Sequence, residues 1–392
     1  MTRPTLEVAG IFRQHGPSYR ATRRMPLEQL RVMRAIETCR TAALGGHKER
    51  CGHCRYERYS YNSCRNRHCP KCQNTARAQW VERRRGELLP VEYFHVVFTI
   101  PQELNALALQ NARLVYNALF RASALTLETI AADPRHLGAR IGFFSVLHTW
   151  GQNLLHHPHV HCVVTGGGLS LNGSSWISCR PGFFLSVRVL SRLFRRLFLA
   201  ALAAAFHADK LRFFGNLEPL ADHFPKLLTQ LAQREWVVYA KPPFGGPQQV
   251  IDYLGRYTHR VAISNNRLEN ITNSEVEFRY KQYRSRGKQK QHRMRLRPEE
   301  FIRRFLMHTL PPGFQRIRHY GLLASRHKAD TLALCRHLLD PLRQLLPTAV
   351  ALPAHREQIL ASAVRCPVCH IGEMARIEIL PRRTGAPYCD SS

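Results

Sequence analysis

The cysteines constrain the folding of this chain more than any other feature. Twelve occur in 392 residues, and they are clustered. Cys39, Cys51, Cys54, Cys64, Cys69 and Cys72 share one short basic segment. Cys366, Cys369 and Cys389 sit in the tail, while Cys162, Cys179 and Cys335 are scattered. Cys51-Gly-His-Cys54 and Cys69-Pro-Lys-Cys72 are C-x-x-C hooks, and two such hooks can offer four thiolates to a tetrahedral Zn²⁺. The expectation is a structural zinc held by Cys51, Cys54, Cys69 and Cys72, with Cys64, His68, His53 and His47 as further candidate ligands. Cys366-Pro-Val-Cys369 is half of another hook, which His370 or Cys389 could complete as a second zinc site.

That reading depends on reduced thiols. Residues Met1 to Arg24 hold no apolar stretch of signal-peptide length, so a cytoplasmic protein is expected, where metal or free thiols outweigh disulfides. The longest apolar run, Leu197 to Phe206, is about half the roughly 20 residues that a membrane span needs. Lys plus Arg number 58 against 27 Asp plus Glu, a formal net charge of +31, which calls for a polyanionic partner, nucleic acid first. A 44% hydrophobic content with 19 Phe and 13 Tyr argues against disorder.

Residues 27–43 and 76–89 read as helices, and Tyr93 to Ile100 as a strand ended by Pro101. Helical patterns cover 103–132, 190–208, 224–233 and 248–262. His159 to Thr165 reads as a strand closed by Gly166, Gly167 and Gly168, and 236–240 as another. Residues 276–283 and 292–297 suggest a hairpin around Gly287, and 298–310 a helix bounded by prolines. Strands mixed with helices give an α+β middle. Three consecutive domains are expected: 1–90 helical and zinc-binding, 91–328 with the basic hairpin, and a tail 329–392.

Two pairs carry chemistry. On a strand, His159 and His161 share one face while Val160 turns to the other. Two imidazoles so placed can chelate one divalent ion. In Tyr253-Leu-Gly-Arg-Tyr257, helical spacing puts both phenols on one face, beside Arg256, His259 and Arg260. A third metal ligand is expected from Gln152 or His148, with His156 and His259 as alternatives. Were 142–155 helical, His148, Gln152 and His156 would line one face. From Arg279 to Arg297 there is no acidic residue. Arg284, Arg286, Lys288, Lys290, Arg293 and Arg295 are the candidate backbone contacts to DNA, with Arg256 and Arg260.

The combination of these motifs resembles the HUH endonucleases. It is most similar to rolling-circle transposases of the insertion-sequence-ninety-one family. The likeness rests on His148-Thr-Trp-Gly-Gln-Asn153, His157-Pro-His-Val-His161, Tyr253-Leu-Gly-Arg-Tyr257, Arg316-Ile-Arg-His-Tyr-Gly-Leu-Leu323 and Arg67-His-Cys-Pro-Lys-Cys-Gln73. It spans roughly residues 27–326. It implies an antiparallel HUH sheet with flanking helices, preceded by a zinc module. It implies Mg²⁺ or Mn²⁺ on the two histidines, and attack by Tyr253 or Tyr257 on single-stranded DNA to give a 5′-phosphotyrosine. The implied location is the bacterial nucleoid. No G-x-x-x-x-G-K-[ST] loop occurs, so unwinding would fall to a host helicase. A replication initiator, a relaxase and a non-enzymatic zinc-containing DNA-binding protein are the competing readings.

Overall fold

The computed structural model describes residues 6–241, 255, 262–281, 291–324, 326, 328–340 and 365–382. In chain order the described elements begin with α1 (Val8–Ala21), α2 (Leu27–Thr38), β1 (Gly46–Cys51), β2 (Glu57–Tyr61), α3 (Pro70–Arg85) and β3 (Tyr93–Thr99). Then come α4 (Asn105–Gln110), α5 (Ala112–Ala132), β4 (Ala139–Trp150), β5 (His156–Ser170), β6 (Trp176–Ser178), α6 (Val187–His207), α7 (Glu218–Ala232) and β7 (Val238–Lys241). The remainder are β8 (Leu268–Ile271), β9 (Val276–Lys281), β10 (Gln291–Leu296), α8 (Pro298–Leu306), β11 (Ile317–Gly321), α9 (Lys328–Leu339) and β12 (Met374–Leu380). The expected helix at 248–262 and the turn around Gly287 lie outside the described residues, apart from Gly255 and the first residue past Val261.

The chain forms two compact units that are not consecutive in sequence. The first takes residues 1–76, 263–309 and 348–392, the second 77–262 and 310–347. The basic hairpin, expected with the catalytic stretch, therefore belongs to the first unit, and so does the tail from 348.

The second unit is built on a six-stranded antiparallel sheet, ordered β11-β4-β5-β3-β7, with β6 pairing to β5 past the end of β3. Cross-strand partners share a face, so the register sorts the side chains. Val160, Cys162 and Val164 of β5 lie with Val96 and Phe98 of β3 and Leu147 of β4 in one buried cluster. Leu119 and Phe120 of α5 and Phe194 and Phe198 of α6 close that cluster. Each such side chain contributes about 1.5–3 kcal/mol when taken out of water. The other face carries Phe144, Val146 and Val163, covered by Leu322, Leu323, Leu332 and Cys335.

Two local expectations are corrected here. Residues 142–155 are not helical: Ala139–Trp150 is strand β4, the longest partner of β5. It is buried on both faces nearly throughout, so its sequence lacks the alternation that marks a half-exposed strand. The glycines do not end β5 either, since the strand runs on to Ser170. They let neighbours approach: a Cβ on Gly168 would stand 2.2 Å from the Arg140 carbonyl oxygen.

In the first unit, α1, α2 and α8 pack together, with Phe12 and Phe305 edge to face at 5.3 Å between ring centroids. Strands β8, β9 and β10 form an antiparallel sheet whose Phe278 meets Phe301 of α8. A second three-stranded sheet, ordered β12-β1-β2, joins the tail to the N-terminal segment.

Candidate metal centres and the family of the chain

The described residues hold three clusters with the donor sets of metal sites: Cys39, Cys64, Cys69 and Cys72; Cys51, Cys54, Cys366 and Cys369; and His148, His159 and His161. Within each, the candidate donor atoms all lie within 4.8 Å of one another.

The two N-terminal hooks are brought to different quartets, which corrects the expected pairing of Cys51 and Cys54 with Cys69 and Cys72. The Cys69 hook, at the start of α3, is completed by Cys39 after α2 and by Cys64. Cys72 Sγ stands 3.6 Å from Cys39 Sγ and 3.5 Å from Cys64 Sγ. Four sulfurs about 2.3 Å from a tetrahedral ion are spaced by about 3.8 Å, so these separations suit Zn²⁺. They are far above the roughly 2.05 Å of a disulfide. His68 lies outside both quartets, with its backbone N–H donated to Asn66 Oδ1 at 2.8 Å. Cys389 lies outside the described residues.

Tight turns present these sulfurs. Among the described residues, six non-glycine positions have positive φ, and four of them (Arg40, Arg55, Arg65 and His370) directly follow a quartet cysteine. The left-handed step reverses the chain so that nearby N–H groups face the sulfur. His53 and Cys54 N–H groups both reach Cys51 Sγ at 3.4 Å. N–H groups of Gly372 and Ile371 hold the Cys369 thiol down at about 5, so it is a thiolate near neutrality.

The histidine cluster arises from the sheet register. His148 of β4 pairs with His159 of β5, and His161 pairs with Val146 on one side and Val97 on the other. The β4–β5 register slips between His148 and Trp150, where two β5 residues, His157 and Pro158, oppose Thr149. A proline fits a central strand at such a bulge because it has no N–H to give the ladder. The His157 carbonyl accepts a 2.7 Å hydrogen bond from His159 Nδ1, so in the neutral ring the lone pair that can ligate a cation is on Nε2. The His148 and His161 ring centroids are 4.4 Å apart, and both residues are buried.

Of the expected third ligands, His148 joins the cluster. Gln152 falls in the turn between β4 and β5. His156 instead meets the Tyr116 hydroxyl at 2.9 Å, and burial pushes its pKa down to about 4, so it is neutral at pH 7. His95 of β3 was missed. Its Nε2 lies 2.8 Å from His161 Nδ1, with the two rings nearly parallel and His95 itself buried. The available signal was a histidine inside an otherwise apolar strand, since a buried polar group needs a partner.

Tyr253, Tyr257, Arg256, Arg260, Arg284, Arg286, Lys288 and Lys290 lie outside the described residues. Arg293 and Arg295 are exposed on β10, alternating with half-buried Met294 and Leu296. Neighbouring strands partly neutralise them: Arg293 Nε is 2.9 Å from Glu269 Oε2, and Arg295 Nε is 3.4 Å from Glu277 Oε1. None of the described helices is long and apolar enough to cross a membrane.

Residues 142–330 match the family described as "Putative transposase", and residues 11–100 match the "Transposase zinc-binding domain". The chain is 57% identical over 397 residues to "Putative transposase y4qJ" of Sinorhizobium fredii, covering 99% of each. It is 29% identical over 296 residues to the transposase for insertion sequence element IS801 of Pseudomonas savastanoi pv. phaseolicola, covering 74% of this chain and 68% of that protein. No solved structure matches. A sheet carrying a three-histidine cluster, cysteine quartets of zinc geometry and these two matched domains together place the chain in the insertion-sequence-ninety-one family of transposases, DNA-processing enzymes with an N-terminal zinc-binding domain.

Proposed function

We propose that this transposase nicks and rejoins single-stranded DNA by tyrosine attack, moving an insertion sequence by a rolling-circle route. The observation that carries the reading is the cluster of His148, His159 and His161 on one sheet face. Three convergent imidazoles suit a divalent cation, and a site of nitrogen donors prefers Mn²⁺ to Mg²⁺. Bound there, the cation would draw charge from a non-bridging oxygen of the scissile phosphate. The phenol oxygen of Tyr253 or Tyr257 forms a bond to phosphorus as the bond to the 3′-oxygen breaks. The products are a 5′-phosphotyrosine and a free 3′-hydroxyl, and the phosphodiester energy is kept for rejoining. Arg256, Arg260, Arg293 and Arg295 would contact the strand through its phosphates, which carry affinity rather than sequence. Strand separation falls to a host helicase.

The direct test incubates the full chain with labelled single-stranded DNA bearing an element end, with Mn²⁺ or Mg²⁺. A denaturation-resistant adduct is expected on the 5′ phosphate of the fragment downstream of the cut, with Mn²⁺ effective at lower concentration. No adduct in either metal would leave a non-enzymatic DNA-binding role. Double-stranded cleavage without an adduct would overturn the single-strand mechanism.

His95 is the positioning residue of this site. His161 can offer Nε2 to a cation only when Nδ1 carries the proton, and His95 Nε2 stands where it can accept that proton's hydrogen bond. His95→Ala is expected to weaken Mn²⁺ binding about 10–100-fold by calorimetry, with His95→Gln recovering part of the loss. Equal Mn²⁺ affinity in all three proteins would show that His95 only fills space.

A further inference from the structure

We propose that Cys51, Cys54, Cys366 and Cys369 bind a second structural Zn²⁺ that clasps the tail onto the N-terminal module. The matched zinc-binding domain ends at residue 100, so half of this site lies far beyond it. Cys51 Sγ is 3.7 Å from Cys369 Sγ, and Cys54 Sγ is 3.6 Å from Cys366 Sγ, the spacing of thiolates around one tetrahedral ion.

The two hooks are built alike. Each is a C-x-x-C turn in which the residue after the second cysteine has positive φ: Arg55 in one, His370 in the other. In each, that residue's N–H bonds the carbonyl of the first cysteine, at 3.2 Å for Arg55 to Cys51 and 3.0 Å for His370 to Cys366. In each, a backbone N–H reaches the first sulfur at 3.4 Å, from His53 to Cys51 and from Val368 to Cys366. Such N–H···S contacts stabilise thiolates and orient them for a metal.

The surrounding backbone is shaped for the same contact. Strand β12 pairs with β1 in a register that sets Met374 beside Cys51, and Gly52 N–H bonds the Glu373 carbonyl at 3.1 Å. Gly372 is required where the hooks meet, since a Cβ there would stand 2.6 Å from Cys51 Sγ. Strand β12 is thinly held otherwise: five of its seven residues are exposed, so little apolar burial fixes it to β1. A metal supplies the missing stabilisation, because binding free energy at a site absent from the unfolded chain is folding free energy.

The test counts zinc in the intact protein by elemental analysis and native mass spectrometry. Two zinc ions per chain are expected. Cys366→Ser with Cys369→Ser should retain one, held by the buried quartet. Hydrogen exchange of 374–380 should lose its protection in that variant while α2 keeps its own. Cys39→Ser with Cys64→Ser provides the converse, loss of the other ion. One zinc per chain in the unmodified protein, or two in the Cys366/Cys369 variant, overturns the proposal. So does unchanged protection of 374–380 once that zinc is gone.

A smaller substitution probes the same junction. Gly372→Ala is expected to shed the second zinc to a mild chelator at least tenfold faster than the unmodified protein, because the added methyl must push Cys51 or His53 aside. Equal release rates would show that the hooks do not need the close approach.

Discussion

A variant carrying His159→Ala and His161→Ala is expected to form no adduct with single-stranded DNA, a loss of roughly 10³-fold or more, while still binding the strand. Removing two of three imidazoles leaves His148 alone, too few ligands to hold a cation at the phosphate, and Lewis-acid stabilisation is worth several kcal/mol at about tenfold per 1.4 kcal/mol. Binding should survive because affinity for DNA resides mainly in arginine and lysine contacts to phosphates. The fold should survive because the core-facing residues of β5 are Val160, Cys162 and Val164, which the substitutions leave in place. His148→Ala should follow the double variant, since His148 stands in one cluster with His159 and His161. Adduct formation at the normal rate in the double variant would move the reaction centre elsewhere. A parallel fall in thermal stability and DNA binding would make the histidines structural.

The residues that were legible are those whose meaning is local. The spacing of His159 and His161 fixes a shared face on any strand, and the structure has them on one. Tyr93 to Ile100 announced β3 through aromatic and β-branched residues, and the Pro298 start announced α8. What stayed hidden depends on partners distant in sequence. Cys54 meets Cys366 across 312 positions, so the nearer C-x-x-C hook looked like the natural mate for each. His148 becomes a neighbour of His159 only once β4 pairs with β5, and its spacing to Gln152 and His156 imitates a helix. Helix α1 was masked by Gly16 and Pro17, both poor in helix interiors. Tertiary contact explains the glycine: a Cβ at Gly16 would stand 2.6 Å from Glu37 Oε1 of α2. The basic run at 279–297 looked unneutralised because Glu269 precedes it in sequence yet lies beside Arg279 and Arg293 in the sheet.

Tyr253→Phe combined with Tyr257→Phe is expected to abolish the adduct by roughly 10³-fold or more, the scale of losing a nucleophile, with DNA and metal binding retained. The change removes two hydroxyls and almost no volume, so packing should tolerate it. Each single variant should separate the roles: one should block the first cut, the other the transfer that follows while a strand remains attached. Other tyrosines of the second unit are poor substitutes. Burial pushes the Tyr93 and Tyr320 hydroxyls up to about 12, and the Leu89 N–H already donates to Tyr93 at 2.9 Å. Burial likewise raises Tyr116, whose hydroxyl is engaged with His156. Tyr239 of β7 is the open one, 52% exposed, so Tyr239→Phe is the control that should keep full activity. If Tyr239→Phe removes the adduct and the paired variant does not, the nucleophile lies on the edge strand of the sheet. The metal-centre assignment would then stand while the two-tyrosine mechanism falls, because the pairing of β4 with β5 is what brings His148, His159 and His161 together.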